Sequence, residues 1–152
     1  MNPAPSDHGA LHESVGERLR RVRQRYTPQR RHLIEVLAEA GRPLATADIL
    51  DLGDDLAQSS AYRNLQVLEQ AGAVRRLVTS ADSPACYELA EDLTSHHHHL
   101  VCGSCGTIED VELSPPLEQV LDAFSEELTA EGGFAADHHR LDIVGTCATC
   151  RS

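Results

Sequence analysis

Residues 96–105 read His-His-His-His-Leu-Val-Cys-Gly-Ser-Cys, and residues 147–150 repeat the cysteine spacing as Cys-Ala-Thr-Cys. Two residues between cysteines let both thiolates reach one metal ion from a tight turn, and two such turns complete a tetrahedral four-sulfur shell. The 41 residues between the pairs mean that the fold must bring two separate knuckles together. A structural zinc site is therefore predicted at Cys102, Cys105, Cys147 and Cys150. Such a shell is closed, so it stabilises the fold and does not catalyse.

The composition limits the class of protein. The 152 residues are 41% hydrophobic but only 3% aromatic, so any core must be aliphatic. This length suits one domain or two small ones. No stretch reaches the length of a membrane span, and the first thirty residues contain Arg and Gln where a signal peptide needs an apolar run. We therefore expect a cytoplasmic protein with no membrane partner. In a reducing compartment, paired cysteines are more often metal ligands than disulfides.

The net charge of −11 is unevenly distributed along the chain. Residues 1–76 contain 11 Arg and 10 acidic residues, whereas residues 77–152 contain 2 Arg and 14 acidic residues. Such asymmetry indicates that the two halves have different tasks. The first half can approach a polyanion such as DNA, whereas the second would be repelled by it and suits divalent cations.

The order of predicted elements indicates an α+β fold with two domains. Helical periodicity and capping residues predict helices over residues 11–25, 27–41, 46–53 and 59–72, with Thr46 and Ser59 or Ser60 as caps. Strands over residues 74–78 and 85–89 form a hairpin, which completes a winged helix-turn-helix. Further strands at 100–101, 108–111 and 141–144, with a helix from Pro115 to Leu128, predict a small α/β domain. We place the domains at residues 11–90 and 99–152, with a hinge at 91–98.

Two arginine-bearing segments are candidates for DNA contact. The predicted fourth helix presents Ser60, Tyr62 and Arg63 near its N-terminus, the end that recognition helices direct to base edges. Arg can also pair bidentately with guanine. The first helix adds Arg18, Arg20 and Arg21, although such a run is also typical of a solvated helix face.

The histidine run suggests exchangeable metal sites. In an extended segment, alternate side chains point to opposite faces, so His97 and His99 would face one way and His96 and His98 the other. One run can thus serve two sites. Neutral imidazoles suit Zn²⁺ and Fe²⁺, and Glu88 adds an oxygen ligand. The fifth cysteine, Cys86, is either a small buried residue of the hairpin or a sensor ligand.

These motifs resemble, in order, those of the ferric uptake regulator family of metal-dependent bacterial repressors. The resemblance covers about residues 15–151 and is carried by Tyr26-Thr27-Pro28-Gln29-Arg30, residues 60–65, Tyr87-Glu88-Leu89, residues 96–102, Cys105-Gly106, Gly145-Thr146-Cys147 and Cys150. It implies a winged helix, a hinge and a dimerisation domain that holds the four-cysteine zinc. It also implies a sensor site at Glu88, His97 and His99, with Cys86 as an additional candidate. A second exchangeable site is implied at His96, His98, Glu118 and His139.

The chain departs from the family pattern around the sensor site. Iron-type members supply a further His from the loop before the third helix, where this chain has Arg42-Pro43-Leu44. Zinc-type members often supply a Cys from the hairpin, and Cys86 lies near that position but not on it. The Asp that zinc-type members carry after the recognition helix is replaced by Arg75.

The predicted function is that of a homodimeric repressor of metal-homeostasis genes that is not an enzyme. It would bind an A/T-rich palindromic DNA operator with Zn²⁺ as the corepressor. An iron-, manganese- or peroxide-responsive member of the family is the alternative. A zinc metalloenzyme or a metal-storage protein is more remote, because the chain has no His-Glu-x-x-His, nucleophile elbow or phosphate loop. A storage protein would also leave the helix-turn-helix without a task.

Overall fold

In the computed structural model, which describes residues 7–152, the chain forms two compact units. The N-terminal unit ends at Ser95, and the C-terminal unit spans His96–Ser152. Each unit combines helices with a three-stranded sheet of the described residues, which confirms the predicted α+β class. In this part of the chain, no helix is both long and apolar enough to cross a bilayer.

The N-terminal unit is a winged helix-turn-helix. Its elements are α1 (Asp7–Arg21), α2 (Pro28–Ala40), β1 (Leu44–Ala45), α3 (Thr46–Leu52), α4 (Gln58–Gln70), β2 (Val74–Leu77), β3 (Cys86–Leu89) and a short 3-10 helix (Glu91–Leu93). The sheet is antiparallel in the order β1-β3-β2. Because the unit has few aromatic residues, its core is aliphatic, with the fully buried residues Val15, Leu19, Leu33, Ile34, Leu44, Ile49, Leu65 and Leu68.

Polar contacts fix α4 against α2. Thr27 caps α2 by accepting from the Arg30 backbone N–H, and Pro28 occupies the first turn, where its missing N–H costs nothing. Arg30 Nε then donates to Asn64 Oδ1 of α4 at 2.9 Å, while its Nη1 donates to the Arg25 carbonyl at 2.6 Å. The orientation of α4 is therefore set by side-chain hydrogen bonds as well as by the core.

Three predicted details of the N-terminal unit are wrong. The first helix ends at Arg21 rather than residue 25, since Arg23 adopts a left-handed φ of 58° that breaks the helix. Helix α4 begins at Gln58, so Ser59 and Ser60 lie in its first turn and do not cap it. Thr46 is the first residue of α3 and not its cap. Strand β1 was not predicted because two residues show no periodicity.

The C-terminal unit is a small sheet with one long helix. Its elements are β4 (His98–Cys102), β5 (Ile108–Val111), α5 (Pro115–Ala130), β6 (Asp142–Gly145) and α6 (Ala148–Arg151). Strand β4 is central, antiparallel to β5 and parallel to β6. Buried apolar residues are few, chiefly Val101 and Ile108, and α5 buries none of its side chains. The short α6, which contains Cys150, was not predicted.

Candidate metal centres and DNA-contacting helices

The four cysteines of the two pairs lie together at one end of the C-terminal sheet. Cys102 ends β4, Cys105 follows in a turn, Cys147 precedes α6 and Cys150 lies in it. Parallel pairing of β4 with β6 sets Cys102 opposite Gly145, close to the second pair. The four Sγ atoms fall within 4.8 Å of one another, and those of Cys105 and Cys147 are 3.8 Å apart. The fold thus brings the two knuckles together.

The electrostatics of this cluster fit a divalent cation. Backbone N–H groups of Cys147, Cys105 and Ser104 lower the pKa of Cys102 to about 6. Hydrogen bonds with the neighbouring thiols raise the pKa of Cys150 to about 12, and the largest effect comes from Cys147. The backbone therefore favours one thiolate, but additional thiolates repel one another unless a cation is present. The donor set fits Zn²⁺, which coordinates four thiolates tetrahedrally.

A second cluster is centred on Glu118 of α5. Glu118 Oε1 lies 2.8 Å from His98 Nε2, and Glu118 Oε2 lies 3.1 Å from His139 Nε2 and 3.4 Å from His96 Nε2. Burial opposes ionisation of Glu118, but hydrogen bonds with His98 and His139 outweigh it, so its pKa is lowered. Asp122, one helical turn further along, lies 3.5 Å from His139 Nδ1 and orients that ring. The sequence did not reveal Asp122.

A third cluster forms on the opposite face of β4. His97 Nε2 lies 3.8 Å from Asp110 Oδ2, and His99 Nε2 lies 3.9 Å from Asp110 Oδ1. Asp142 of β6 lies directly opposite His99 and places its Oδ1 3.2 Å from His99 Nδ1. This contact directs the other ring nitrogen of His99 toward the cluster, as carboxylates do for metal-binding histidines. The ligand atoms of His97, His99 and Asp110 lie within 4.8 Å of one another.

The predicted alternation of the histidine run agrees with these contacts. His96 and His98 contact one carboxylate, and His97 and His99 contact another. Asp110 was missed as a candidate ligand. The register of β4 and β5, in which His99 pairs with Asp110, was the signal that could have found it.

The other two predicted sensor residues lie in β3 of the N-terminal unit. Glu88 is 5% exposed and accepts a hydrogen bond from Arg75 Nε at 2.9 Å. Cys86 is 4% exposed and pairs with Leu77 and Ala45 in the sheet. Burial raises the pKa of the Cys86 thiol, which disfavours the thiolate that a metal needs. The Cys86 environment is therefore that of a small core residue.

The predicted DNA-contacting residues differ in their exposure. Tyr62 and Arg63 are exposed on α4, and Ser60 is half-buried in its first turn. Arg20 and Arg21 are exposed at the end of α1. Arg18 is instead engaged with its own unit, where it donates to the Gly72 carbonyl and forms an ion pair with Asp92. The structure thus gives Arg18 a role in holding α1 against the end of α4.

Comparison with known proteins agrees with this architecture. The sequence model of the ferric uptake regulator family matches residues 22–144. The chain belongs to the ferric uptake regulator family. The resemblance predicted from the motifs is therefore confirmed, and membership of the family identifies the chain as a metal-responsive regulator.

Two relatives and one solved structure show how similar the chain is to individual proteins. It is 32% identical over 139 residues to the peroxide operon regulator of Bacillus subtilis, covering 88% of this chain and 89% of that protein. It is 30% identical over 145 residues to the peroxide-responsive repressor PerR of Staphylococcus aureus, covering 93% and 91%. The Helicobacter pylori ferric uptake regulator superimposes with a TM-score of 0.73 at 22% identity, covering 100% of this chain and 98% of that one.

Proposed function

We propose that the protein is a homodimeric DNA-binding repressor and that a divalent metal ion acts as its corepressor. The observation that carries the proposal is the cluster of His97, His99 and Asp110. Its first residue, His97, lies two positions after Ser95, where the N-terminal unit ends. In the proposed site, Glu88 of the N-terminal unit joins these residues. One ion bound by ligands from both units would fix the DNA-binding unit relative to the dimer. Metal affinity and DNA affinity are then reciprocally linked.

For the sensed ion, we propose Fe²⁺ or Mn²⁺. The proposed ligands are two imidazoles and two carboxylates, a set that suits these ions better than a thiolate-containing one. The prediction of Zn²⁺ depended on Cys86 as a ligand and on the unbroken histidine run. A buried thiol with a raised pKa argues against Cys86 as a ligand, and imidazoles suit Fe²⁺ as well as Zn²⁺. Zn²⁺ remains the alternative if Cys86 is recruited. At the four-cysteine cluster we propose a permanent Zn²⁺.

A peroxide response is a second candidate function. It is favoured by the two relatives at 30–32% identity, which are a peroxide operon regulator and a peroxide-responsive repressor. Fe²⁺ at the proposed sensor site would supply the redox chemistry for such a response. The residues of this chain would hold the ion and exclude bulk water, since His97 and His99 side chains are only 9% and 4% exposed.

The proposed dimer buries exposed apolar side chains of the C-terminal unit. On α5, Leu117, Val120 and Phe124 are 54%, 65% and 57% exposed, and on β6, Val144 is 70% exposed. Such a concentration of exposed large apolar side chains in a small unit is typical of an interface. A two-fold dimer presents two copies of α4, so its operator should be a palindrome.

The corepressor proposal is tested by a mobility-shift titration. The probe is a palindromic duplex selected from randomised DNA by the metal-loaded protein. With Mn²⁺ or anaerobic Fe²⁺ present, we expect binding to be tighter by roughly 5- to 150-fold than after EDTA removes the exchangeable ion. Zinc content is measured in parallel to verify that the four-cysteine site stays filled. Equal affinity with and without exchangeable metal would contradict the proposal.

The DNA-contacting face makes a separate prediction. Arg63 is exposed in the N-terminal half of α4, the part that recognition helices direct to base edges. Replacing Arg63 by Ala should weaken operator binding by about 1–3 kcal/mol if its guanidinium pairs with a base edge. The matched control is Arg151→Ala, which removes the same charge from an exposed position in the C-terminal unit. Fluorescence anisotropy at a fixed salt concentration measures both variants. A loss of the same size in both would mean that only net charge matters.

A further inference from the structure

Arg75 and Glu88 form an ion pair inside the N-terminal unit. The two residues face each other across β2 and β3, and both Arg75 Nε and Nη2 donate to the same oxygen, Glu88 Oε1. The Glu88 side chain is only 6% exposed and that of Arg75 is 24% exposed. A cation of the protein itself thus already neutralises the carboxylate that the proposed sensor site needs.

Two cations that share one buried carboxylate oppose each other's binding. The Arg75 guanidinium reduces the negative charge that Glu88 offers to a metal, and it repels a divalent ion placed within a few ångströms. Without Arg75, Glu88 would lose the guanidinium that neutralises its buried charge across β2 and β3. The carboxylate would then gain more from a metal ion.

A second carboxylate lies within reach of the same guanidinium. Arg75 Nη1 is 3.9 Å from Glu91 Oε2, and Glu91 begins the 3-10 helix that follows β3. A small change of the Arg75 side chain can therefore exchange one carboxylate partner for the other. Glu91 belongs to the segment that leads to the histidine run, so this exchange would report metal occupancy to the end of the N-terminal unit.

We propose that Arg75 is an internal competitor of the corepressor metal, which holds Glu88 when the metal is absent and moves to Glu91 when the metal binds. The inference rests on the proposed function, because it takes Glu88 as a sensor ligand. Arg75 does not contact the metal in this scheme. It is a positioning residue that sets the metal concentration at which the repressor responds.

The test compares metal affinities of matched variants of the full-length, zinc-loaded protein. Mn²⁺ is titrated and the free ion is followed by electron paramagnetic resonance. Arg75→Met should bind Mn²⁺ roughly tenfold more tightly than the wild type, within the usual range of such couplings. Arg76→Met is the control, because Arg76 is the next, exposed residue of β2 and points to the other face of the sheet. It should leave the affinity unchanged.

Three further variants test whether the change in Mn²⁺ affinity has the sign that competition requires. Glu91→Gln removes the charge of the alternative partner, so it should weaken Mn²⁺ binding, opposite to Arg75→Met. The double variant Arg75→Met with Glu88→Gln should bind no more tightly than Glu88→Gln alone, because the competition requires the carboxylate. Arg75→Lys retains the charge but not both hydrogen bonds, so its affinity should be intermediate. It carries the test if Arg75→Met does not fold, as judged by circular dichroism.

The outcomes separate the two proposals. If Glu88→Gln leaves Mn²⁺ affinity unchanged, Glu88 is not a sensor ligand, and both the proposed ligand set and the role of Arg75 are overturned. If Glu88→Gln weakens binding while folded Arg75 variants bind as the wild type does or more weakly, the competition is overturned and the sensor site stands. Tighter binding in Arg75→Met that persists in the double variant would likewise overturn the competition.

Discussion

Replacing Cys105 by Ser is expected to unfold the C-terminal unit while the N-terminal unit stays folded. The C-terminal unit buries few large apolar side chains, and its long helix α5 buries none, so its sheet lacks the core that would hold it alone. Zinc binding contributes about 10–16 kcal/mol in small zinc-finger peptides, and comparable coupling here would decide whether this unit folds. A serine hydroxyl does not ionise near neutral pH, so it cannot replace a thiolate ligand.

The measurement is zinc content together with backbone hydrogen exchange. In the wild type we expect slow exchange in β4 and β5 and one tightly held zinc per protomer. In Cys105→Ser the zinc should be lost and protection of β4 and β5 should disappear. Protection of β2 and β3 should remain, since the aliphatic core of the N-terminal unit is separate. The apparent mass in sedimentation should also fall to that of a monomer, because the proposed dimer surface lies on the unfolded unit.

The control is Cys86→Ser, which removes the remaining cysteine of the chain. Cys86 is buried in β3, and its thiol belongs to the N-terminal unit. It should leave zinc content and the protection of β4 unchanged. Retention of zinc and of β4 protection in Cys105→Ser would show that three thiolates, or the core alone, suffice to fold the unit.

The sequence predicted the four-cysteine cluster because the chemistry of the residues nearly dictates it. A Cys-x-x-Cys pair on a short turn has few uses in a reducing compartment other than metal binding. The alternation of the histidine run was equally predictable, because it follows from the period of an extended chain. Both features depend on local geometry and residue type, and neither requires knowledge of distant contacts.

The carboxylates around the histidines were harder to predict. Asp110 lies opposite His99 because the turn after Cys102 fixes the register of β4 and β5, which a count along the hairpin could have found. Asp142 faces His99 from a parallel strand that follows α5, and no local pattern gives that register. Asp122 contacts His139 only because α5 and the segment before β6 are packed together. These contacts depend on tertiary structure.

The predicted start of α4 was wrong, although it followed a local capping signal. Ser59 and Ser60 are good capping residues, yet α4 starts at Gln58 with Ala57 as its uncapped boundary. The contacts of Arg18 within its own unit were also missed. Its guanidinium contacts Asp92 and the Gly72 carbonyl, which are 74 and 54 residues away in sequence, so no local pattern gives them. The contact of Arg18 with DNA stays a prediction.

Replacing His97 by Ala should abolish the effect of metal on operator affinity, whereas replacing its neighbour His96 by Ala should preserve most of that effect. The side chains lie on opposite faces of the same extended segment. His97 contacts Asp110 and packs against His99, whereas His96 contacts Glu118 and packs against His98 and His139. His97→Ala should therefore lose the sensed ion, and operator affinity in saturating Mn²⁺ should fall to the metal-free value, by roughly 5- to 150-fold. His96→Ala should retain most of that metal-dependent gain.

Two measurements on each variant make this comparison decisive. Fluorescence anisotropy with the selected operator duplex gives DNA affinity as Mn²⁺ is raised, and equilibrium dialysis gives the exchangeable ions bound per protomer. Each variant should lose one of the two exchangeable sites, but only His97→Ala should lose the response of DNA binding to Mn²⁺. The four-cysteine zinc should be retained in both and serves as the folding control.

Two outcomes would contradict the assignment of the sensor site to His97, His99 and Asp110. If both variants lose the response equally, or if His96→Ala alone loses it, the cluster around Glu118 would have to be the sensor. A full response in His97→Ala would show that His99 and Asp110 hold the ion without it.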